Sequence, residues 1–521
     1  MKLSELASRV RGAEVESGPD TEVRHVVQDS RRAGPGDLFV AVSGQRVDGH
    51  DFVRQAAQRG SAVAIERSVT VPPGVPVLRL SDSRWALGGL AAELNNRPGR
   101  RLLVAGVTGT DGKTTVTHMA AHVFGISGVP AGFLSTVAFD RGAGVEDNLS
   151  GQTTMEAPEV QAALAGMVAA GKRAAVIETT SHALVQGRVS GCEFDVAAFT
   201  NIGHDHLDYH RRWGEYVQAK ARLIDLCREG WSKGVPKTAV LNLDDLSYGR
   251  LSQHPIERRW TYSLEGEAQV RALDIRSSPN GSRFQLVAAG ARAEVNLRSP
   301  ARFNVANALC AASVCLALGL PVDAVAAGLS DFPGVAGRLE QVDLGQPFRV
   351  YVDFAHAASS LAQTLSELRA VTLGRLFAVF GSTPRTDHDR PGMGRAAAEW
   401  ADWFVITTDD PVDEDPAVSA REVEEGALTA GARTGVDYEI ELDRRVAIRE
   451  AIGLARPGDA VLLAGKGHER WMLMEGRRKE PWDDRVEAAV ALRELGWAAS
   501  AVSSEPSGPT HGQRLTSVMV E

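Results

Sequence analysis

Short apolar runs alternate with helical or turn-rich segments along most of the chain. The first such runs are Asp37–Val42, Ala62–Glu66 and Val77–Leu80, and the turn-forming cluster Asn95-Asn96-Arg97-Pro98-Gly99 follows them. Apolar runs of this length between turn residues are typical of strands. We predict a small N-terminal α/β domain at residues 1–99, with the cluster as a linker.

A second series of strands begins at Arg101. The sequence RLLVAGV is followed by a glycine-containing loop and by KTTVTHMAAHVF, which has the pattern of a helix. Further strands are predicted at Ala174–Glu178, Val196–Thr200 and Thr238–Leu243. This order predicts a central α/β domain with a parallel sheet at residues 100–335.

A break at Phe332-Pro333-Gly334 precedes a third series of strands. These are predicted at Phe348–Phe354, Leu376–Phe380, Trp403–Thr407 and Ala460–Ala464. They predict a C-terminal, Rossmann-like α/β domain at 336–498. The remaining residues, 499–521, are rich in Ser, Pro, Gly and Thr and predict a disordered tail.

The length, net charge and N-terminal sequence of the chain argue against some classes of protein. A chain of 521 residues is longer than one hydrophobic core usually serves, which agrees with several domains. The net charge of -9 argues against nucleic-acid binding. The N-terminal sequence MKLSELASRVRGAEV predicts an amphipathic helix without the apolar core of a signal peptide, so we expect a cytoplasmic protein.

Membrane insertion and metal-binding cysteines are not expected. Apolar runs stay short of the roughly 20 residues that span a bilayer. The cysteines show no CxxC pairing, so we expect buried free thiols at Cys192, Cys227, Cys310 and Cys315.

A phosphate-binding loop is predicted at Gly109-Thr110-Asp111-Gly112-Lys113-Thr114-Thr115. It follows a strand and precedes a helix, so backbone N–H groups and the helix N-terminus can approach phosphates. Lys113 would neutralise charge and a Thr hydroxyl would bind Mg²⁺. Val107 stands where the common Gly-x4-Gly-Lys-Thr pattern has its first glycine.

The segment Thr108–Thr115, TGTDGKTT, resembles the loop TGTNGKTT of the Mur ligases, with Asp111 in place of Asn. Three further segments are similar to the E-type members, which add the third amino acid of the peptidoglycan stem: Asp29–Phe52, Glu178–His210 and Ala464–Glu469. The resemblance implies a three-domain ATP-dependent ligase. Such an enzyme activates a carboxylate as an acyl phosphate, with Mg²⁺ as cofactor, and couples it to an amino acid.

The resemblance also implies roles for individual residues. Its implied catalytic residues are Lys113, Glu178, His206 and Lys220. Its implied ATP contacts are Gly109, Thr110, Asp111, Gly112, Lys113, Thr114, Thr115, Asn304 and Arg338. Its implied metal ligands are Thr114, Glu178 and His206, and Lys220 is implied to be carbamylated.

Several of these residues also have plain structural interpretations. From its own pattern, Lys220 resembles a lysine on the surface of a helix. Asn304 and Asn307 flank an apolar pair and also fit helix-capping residues. Arg338, in GRLE, also fits a solvated ion pair at a domain junction. Asp353 and His356 match the family's VDYAH only in part, because Ala357-Ala358-Ser359 replaces the usual TPD.

The substrate sites are implied in the same way. The implied contacts of the UDP-sugar-peptide are Ser30, Asp48, Gly49, His50, Thr153, Thr154, Ser181, Gln186 and Arg188. Met155 replaces the proline of the family's TTP motif. The implied contacts of the amino acid are Arg390, Asp409, Asp410, Val412, Gly465 and Glu469.

The amino-acid site departs from the pattern of the diaminopimelate-adding members. They carry DNPR, whereas this chain has Asp409-Asp410-Pro411-Val412. Valine cannot pair with a distal carboxylate, which makes diaminopimelate a poor substrate. Asp410 would attract a distal ammonium, which favours lysine or ornithine, although residues 409–412 also fit a simple turn. The preceding loop, 382–387, departs from the family's GGDRD-like run as well.

Three hypotheses for function stay open. The first is addition of an amino acid other than diaminopimelate to UDP-N-acetylmuramoyl-L-Ala-D-Glu. The second is a related ligase of a specialised pathway that couples an amino acid to another carboxylate, which the altered loops favour. The third is a non-catalytic nucleotide-binding regulator, which would be expected to lack the phosphate and metal residues. We expect the protein to be a monomer whose binding partners are small molecules.

Overall fold

The structure is a computed structural model that describes residues 1–44, 47–203, 212–384 and 389–498. The predicted metal ligand His206 and the predicted tail at 499–521 lie outside the described residues. The described part of the chain forms three larger sheets and one hairpin, in the order of the three predicted strand series. The exact domain limits stay a prediction.

The first sheet has five strands in the order β1-β5-β4-β3-β2. Its strands are Ala13–Ser17 (β1), His25–Val27 (β2), Asp37–Val40 (β3), Ala62–Ile65 (β4) and Val77–Leu80 (β5). Its helices are Leu3–Arg9 (α1), Val53–Gln58 (α2) and Ser83–Leu94 (α3). The strands β2 to β5 pair in parallel, and β1 is antiparallel to β5. Helix α3 begins where the Asp82 carboxylate accepts a hydrogen bond from Trp85 N at 3.0 Å.

The second sheet has eleven strands in the order β16-β15-β14-β13-β12-β11-β6-β10-β7-β8-β9. They are Leu103–Thr108 (β6), Ala131–Leu134 (β7), Ala138–Asp140 (β8), Val145–Asp147 (β9), Ala174–Glu178 (β10), Val196–Phe199 (β11), Thr238–Asn242 (β12), Arg258–Ser263 (β13), Val270–Ser278 (β14), Gly281–Ala288 (β15) and Ala291–Leu297 (β16). Its helices are Lys113–Ile126 (α4), Ala157–Ala169 (α5), Ser181–Val185 (α6), Trp213–Glu229 (α7), Tyr248–Leu251 (α8), Arg302–Ala317 (α9) and Val322–Asp331 (α10).

Strand β6 lies inside this sheet, between the parallel strands β10 and β11. The carboxyl ends of β6, β10 and β11 therefore meet at one edge, where ligands of parallel α/β sheets usually bind. Two hydrophobic clusters cover the faces of the sheet, one with α4 and α9 and the other with α5 and α7. The rigid sheet thus fixes the loop at Gly109 against the end of β10 at Glu178.

The third sheet has the order β17-β18-β22-β19-β20-β21. Its strands are Glu340–Gln341 (β17), Arg349–Asp353 (β18), Leu376–Phe380 (β19), Trp403–Ile406 (β20), Tyr438–Ile440 (β21) and Ala460–Ala464 (β22), and a hairpin adds Trp471–Met474 (β23) and Arg478–Pro481 (β24). The helices are Ala358–Val371 (α11), Arg390–Trp400 (α12), Pro416–Thr429 (α13), Arg444–Leu454 (α14) and Asp484–Glu494 (α15). In the part of the chain that the structure describes, no helix combines the length and apolarity needed to cross a bilayer.

A buried ion cluster holds the amino ends of β6, β11 and β12 together. The Asp195 carboxylate is fully buried and lies 2.6 Å from Lys233 Nζ and 3.0 Å from Lys237 Nζ. It also accepts a hydrogen bond from Val104 N at 2.8 Å. Removing one partner of a buried ion pair leaves the other charges without compensation.

We predict that Asp195→Asn destabilises the protein by about 3–5 kcal/mol, because it leaves two lysines beside a neutral amide. Urea denaturation followed by circular dichroism measures the change. The control is Asp225→Asn, which removes an exposed partner of Arg228 and should cost at most about 1 kcal/mol. Equal unfolding midpoints for the two variants would contradict the prediction.

Candidate active site

The loop after β6 is packed tightly against its neighbours. Gly112 has φ 78° and is the N-cap of α4. A Cβ atom on Gly112 would lie 2.2 Å from Asn307 Oδ1. Glycine at this position is therefore required by both the backbone conformation and the close approach of α9.

Residues that follow β11 hold the same loop through hydrogen bonds. Thr110 N donates to Asn201 O at 2.7 Å, and Asp111 N donates to Asn201 Oδ1 at 3.0 Å. Thr200 Oγ1 donates to Asp111 O at 2.6 Å. The side chain of Asp111 is exposed, so the Asp in place of the family's Asn is compatible with the loop's conformation.

Lys113 begins helix α4 and its side chain folds back over the loop. Its Nζ donates to Thr110 O at 2.7 Å. This places a positive charge beside the backbone N–H groups of a helix N-terminus, where an anion would be stabilised by both.

Glu178 is the centre of the polar contacts at this edge of the sheet. It ends β10 and is 1% exposed. Its two carboxylate oxygens accept from Thr114 Oγ1, each at 3.0 Å. They also accept from Thr136 N at 2.8 Å and from Thr136 Oγ1 at 3.0 Å. Among the described residues, no Lys or Arg forms an ion pair with this buried carboxylate.

The donor set around Glu178 fits a hard cation. A Thr hydroxyl and a carboxylate lie side by side, and both supply the oxygen ligands that Mg²⁺ prefers. Within 1–44, 47–203, 212–384 and 389–498 no three His, Cys, Asp or Glu residues form a metal-binding group. The third predicted ligand, His206, is outside these ranges.

Lys220 is buried, so its interpretation as a surface helix lysine is wrong. It lies on α7, is 1% exposed, and its Nζ donates to Gly109 O at 2.6 Å. The same Nζ lies 4.3 Å from the centre of the Tyr216 ring. Helix α7 packs against the sheet and thereby brings this lysine to the phosphate loop.

Asn304 and Asn307 are not capping residues. Helix α9 begins at Arg302, and its N-cap, Ala301, makes no side-chain capping bond. Asn307 Nδ2 donates to Asn304 Oδ1 at 2.9 Å, and Asn304 Nδ2 donates to Ser299 Oγ at 2.7 Å. The two amides instead form a buried chain that ends beside Gly112.

Arg338 approaches the same region from the C-terminal part of the chain. Its guanidinium carbon lies 4.5 Å from the centre of the Phe354 ring, and its Nε is buried without a hydrogen-bond partner in the described residues. It forms no ion pair with any described carboxylate, so the solvated ion-pair interpretation is wrong. Burial first, and the charge of Arg338 second, lower the pKa of His118 on α4 to about 3.

The predicted UDP-contacting residues of the N-terminal part make two separate sets of bonds beside the first sheet. His50 Nδ1 donates to Asp48 Oδ1 at 2.7 Å and His50 Nε2 accepts from Glu66 N at 3.3 Å, so both ring nitrogens are engaged within the protein. The backbone N–H of His50 lowers the pKa of Asp48 well below its usual range. Ser30 is buried and donates to Gln55 Oε1 at 2.8 Å. A Cβ on Gly49 would lie 2.7 Å from Val42 N.

The other residues predicted to contact the UDP substrate surround Glu178. Thr153 Oγ1 accepts from Thr136 Oγ1 at 3.1 Å, and Thr154 Oγ1 donates to the backbone oxygen of Glu178 at 2.9 Å. Ser181 is buried at the start of α6. Arg188 donates to Thr154 O at 3.0 Å and to Gln186 Oε1 at 2.9 Å.

Four of the residues predicted to contact the amino acid surround or adjoin a buried lysine that the sequence did not single out. Lys466 is 0% exposed, and its Nζ lies 2.7 Å from Asp410, 2.5 Å from Glu469 and 3.8 Å from Asp409. A Cβ on Gly465 would lie 2.4 Å from Asp409 Oδ2. Lys466 in Gly-Lys-Gly after a buried strand was the available signal, but its partners at 409 and 410 are remote in sequence.

Residues 409–412 form a strained turn as well as part of this cluster. Asp410 has φ 37° and Val412 has φ 53°, which is rare for a β-branched residue. Asp410 Oδ1 accepts from Leu473 N at 2.8 Å, and Val412 N donates to Leu473 O at 3.0 Å. The backbone strain is therefore held by β23, as is common at functional sites.

Arg390 is separate from the Lys466 cluster in its contacts. It pairs with Glu414 at 2.6 Å and Glu422 at 3.0 Å, and donates to Thr383 O at 2.9 Å. Part of the divergent loop before it, residues 385–388, lies outside the described residues.

Three segments of the chain match known protein domains. Residues 22–93 match the Mur ligase family catalytic domain, residues 107–315 match the Mur ligase middle domain, and residues 337–467 match the Mur ligase glutamate ligase domain.

Several proteins that match this chain over nearly their whole length have related names. The chain is 42% identical to a UDP-N-acetylmuramyl-tripeptide synthetase of Roseiflexus sp. (strain RS-1), over 91% of this chain and 96% of that protein. It is 40% identical to a UDP-N-acetylmuramoyl-L-alanyl-D-glutamate--2,6-diaminopimelate ligase of Gloeobacter violaceus, over 94% and 98%. A solved structure of a ligase with the latter name has a TM-score of 0.70 at 27% identity, covering 95% of this chain and 99% of that one.

We predict that Lys466→Met destabilises the protein by about 3–5 kcal/mol at neutral pH, because three carboxylates stay buried without their shared cation. Thermal unfolding measures the loss. Burial raises the pKa of Asp409 and of Glu469, and Lys466 opposes this rise. A carboxyl with a raised folded pKa stabilises the fold below its unfolded pKa and loses that contribution as pH rises, so the loss should be larger at about pH 8 than at about pH 5.

The control for this variant is Lys479→Met. Lys479 is exposed and its Nζ lies over the Trp471 ring at 3.7 Å. Losing this contact should cost about 0.5–1 kcal/mol at either pH. A Lys466→Met protein that unfolds like this control at both pH values would show that the buried cluster does not depend on Lys466.

Proposed function

This chain belongs to the Mur ligase family of ATP-dependent, ADP-forming ligases, and we propose that it adds the third residue to UDP-N-acetylmuramoyl-L-Ala-D-Glu, using an amino acid other than diaminopimelate. The observation that carries the proposal is the convergence of Thr114, Glu178 and Lys220 on the phosphate loop. The names of relatives similar over nearly the whole chain support the acceptor substrate.

We assign ATP to the edge of the second sheet. Residues 109–115 would surround the phosphates with backbone N–H groups, and Lys113 would add a positive charge. Asn304 lies at the start of α9 beside the loop, which supports a contact with the base. Arg338, with a buried Nε that lacks a partner among described residues, is suited to a phosphate oxygen.

Mg²⁺ would be held by Thr114, Glu178 and His206. The pair of oxygen ligands at Thr114 and Glu178 supports this assignment. When bound, the ion offsets negative charge on the transferred phosphoryl group. Glu178 is kept in place by Thr136 and by the backbone of a buried strand, so it needs little reorganisation to act as a ligand.

The reaction transfers two groups in sequence. An oxygen of the acceptor carboxylate attacks the γ-phosphorus of ATP, the bond to the β–γ bridging oxygen breaks, and ADP leaves. The amine of the incoming amino acid then attacks the acyl phosphate carbon, loses a proton, and phosphate leaves. The protein contributes charge and positioning. Lys113 and Arg338 would stabilise the phosphoryl group, and residues of the third sheet would bring the amine to the acyl phosphate at the edge of the second sheet.

The acceptor would lie between the first sheet and Glu178. At the UDP end, Asp48 and His50 bond to each other, Gly49 lies between them, and Ser30 is held by Gln55. Because both ring nitrogens of His50 are engaged, His50 would shape this site through its backbone and its bond to Asp48 rather than donate to the ligand. At the other end, Thr153, Thr154, Ser181, Gln186 and Arg188 lie near Glu178, which supports a position of the reacting carboxylate close to ATP.

The negative charge at the third sheet supports an incoming amino acid with a positively charged side chain. Lys466 supplies one positive charge against the three carboxylates of Asp409, Asp410 and Glu469, a formal excess of two negative charges. The neighbouring Arg444–Asp484 pair is neutral as a whole. The α-ammonium and α-carboxylate of an incoming amino acid cancel each other in net charge, whereas a distal ammonium, as in lysine or ornithine, would offset one of the two excess charges.

The same charges oppose a distal carboxylate. Val412 offers no hydrogen-bond donor in its side chain, and Arg390 is paired with Glu414 and Glu422. A second carboxylate on the incoming amine would therefore meet an acidic cluster without a free guanidinium among these residues. The acidic cluster therefore favours lysine or ornithine over diaminopimelate, although several relatives are named as diaminopimelate ligases.

A second candidate function is a ligase for another carboxylate in a specialised pathway. The altered segments at Met155, 357–359 and 382–387 favour it, because they lie in regions that the family uses for substrates. The complete set of predicted UDP-contacting residues beside the first sheet favours the cell-wall precursor instead.

The test is phosphate release from ATP with UDP-N-acetylmuramoyl-L-Ala-D-Glu and a panel of amino acids. We predict the highest kcat/KM with lysine or ornithine, at least about tenfold above diaminopimelate, which corresponds to one ion pair of about 1.4 kcal/mol. Preference for diaminopimelate would contradict the charge argument. Turnover with none of the amino acids would favour the second function. In the same assay, Val412→Arg should reduce the difference in kcat/KM between lysine or ornithine and diaminopimelate. The control Val436→Arg, at an exposed site in the same domain, should leave that difference unchanged.

We predict that Lys220→Ala lowers kcat by at least about a hundredfold, because a carbamylated Lys220 would supply an anion that helps hold a second Mg²⁺ beside the phosphate loop. A short carboxylic acid should restore part of the activity by occupying the vacated space. Lys220→Arg, which keeps the positive charge and cannot be carbamylated, should be equally slow and should not be restored.

Carbamylation itself can be measured by ¹³C NMR after incubation with labelled bicarbonate. A carbamate signal is expected in the unsubstituted protein and not in Lys220→Ala. Full activity of Lys220→Ala, or an equal signal in both proteins, would overturn the assignment. Lys479→Ala, at an exposed lysine, serves as the control for charge alone.

A further inference from the structure

Two glycine-containing segments of the C-terminal part are in direct backbone contact. A Cβ on Gly337 would lie 2.0 Å from His468 N, and a Cβ on Gly467 would lie 2.8 Å from Gly337 O and 2.7 Å from Phe354 Cβ. Both glycines have positive φ, 64° and 51°. The segment that carries Arg338 is therefore locked against the loop Gly465–Glu469, which we call the glycine-lysine loop.

The ring of Phe354 lies between these two segments. The guanidinium carbon of Arg338 is 4.5 Å from its centre, and the ring of His468 is 5.1 Å away, tilted by 54°. His356 contacts the same ring at 4.6 Å. A cation over an aromatic face gains stabilisation from the ring quadrupole, so the direction of Arg338 depends on Phe354 staying in place.

Polar atoms at this contact point to a ligand. Arg338 Nε and His468 Nδ1 are both buried without a hydrogen-bond partner among the described residues. A buried donor or acceptor without a partner is costly, and such atoms are common where a ligand binds.

His468 is neutral in this setting. Burial, the largest cause, lowers its pKa to about 3 together with the charges of Arg338, Arg485 and Lys466 and a contribution from His118. A neutral ring can lie next to Arg338 without repelling it. A permanent positive charge at position 468 would push the guanidinium away.

The glycine-lysine loop also faces the amino-acid site. Lys466 and Glu469, which flank Gly467 and His468, belong to the buried acidic cluster with Asp410. One five-residue loop thus contacts Gly337, the neighbour of Arg338, on one side and the predicted site of the incoming amine on the other.

We propose that Gly467 and His468 are positioning residues that hold Arg338 towards the phosphate loop, so that the glycine-lysine loop couples occupancy of the amino-acid site to the binding of ATP. The inference rests on the proposed roles of Arg338 and Glu469. An amine that orders Glu469 also orders Gly467, and through the backbone contact it restricts Gly337 and Arg338. Because coupling is reciprocal, ATP should raise the affinity for the amino acid by the same factor.

The test compares ATP affinity, measured by calorimetry with a non-hydrolysable ATP analogue, in the absence and presence of saturating lysine or ornithine. In the unsubstituted protein the amino acid should tighten the analogue by about tenfold, within the usual range of coupling between sites. Gly467→Ala should abolish this tightening, because its Cβ displaces Phe354 or the Gly337 segment. The control is Gly453→Ala, on α14, where a Cβ meets no atom within 4 Å.

Substitutions of His468 test the same coupling without a change at a glycine. His468→Gln keeps a neutral polar side chain and should retain most of the tightening, His468→Ala should retain part, and His468→Lys should lose it. In steady state, His468→Lys should raise KM for ATP by about tenfold or more while KM for the UDP substrate stays within about twofold, a split that general loss of structure would not give.

Failure of this inference can be distinguished from failure of the proposed function by Arg338→Ala. Unchanged ATP affinity in Arg338→Ala would remove the proposed role of Arg338. Weakened ATP binding in Arg338→Ala, together with normal coupling in Gly467→Ala and His468→Lys, would overturn the inference alone. If Gly467→Ala does not fold, as judged by circular dichroism, the His468 series decides the outcome.

Discussion

A buried carboxylate without a described cationic partner fixes the arrangement of the catalytic edge. Glu178 ends an inner strand of the second sheet, where desolvation makes an isolated negative charge costly. The protein offsets this cost with hydrogen bonds from Thr114 and Thr136, one on the helix after the phosphate loop and one after β7. These bonds connect β10, the loop after β6 and the loop after β7 into one unit.

The proposed amino-acid site has the opposite charge arrangement to that of Glu178, because one buried cation pairs with several carboxylates. Lys466 keeps Asp409, Asp410 and Glu469 together, and the resulting excess of negative charge is what a cationic substrate would offset. Arg338 lies between these two regions, and its charge lowers the pKa of His118 on α4 and of His468 after β22. The proposed coupling between nucleotide and amine would depend on these charges and on the backbone contact of Gly337 with Gly467 and His468.

Local patterns predicted the parallel strands well. The predicted strands at 174–178, 376–380 and 460–464 have the same limits in the structure, because short apolar runs bounded by polar residues are a signal within a few positions. The extension β13 to β16, in which β14, β15 and β16 are antiparallel, was not predicted. Charged side chains interrupt β13, β14 and β16, and β15 alternates between buried and more exposed residues, so these strands lack the continuous apolar run of an inner strand.

The part of the candidate site that is encoded in a local motif was predicted from the sequence, and the part that depends on remote neighbours was not. The phosphate loop is a local motif, and the fold places it with Glu178 and Lys220 as the resemblance implies. The burial of Lys220 was missed because a lone lysine on a helix carries no sign of its neighbours. Lys466 was missed because its partners at 409 and 410 are more than fifty positions away, a separation that only the fold removes.

The proposed function depends most directly on activation of the acceptor carboxylate as an acyl phosphate at the Glu178 edge. The direct measurement uses UDP-N-acetylmuramoyl-L-Ala-D-Glu with ¹⁸O at both oxygens of its reacting carboxylate, together with ATP and the preferred amino acid, and follows the label by mass spectrometry. We expect one labelled oxygen in each released phosphate and none in a nucleotide. Label in AMP, or phosphate free of label while the amide product accumulates, would contradict this expectation.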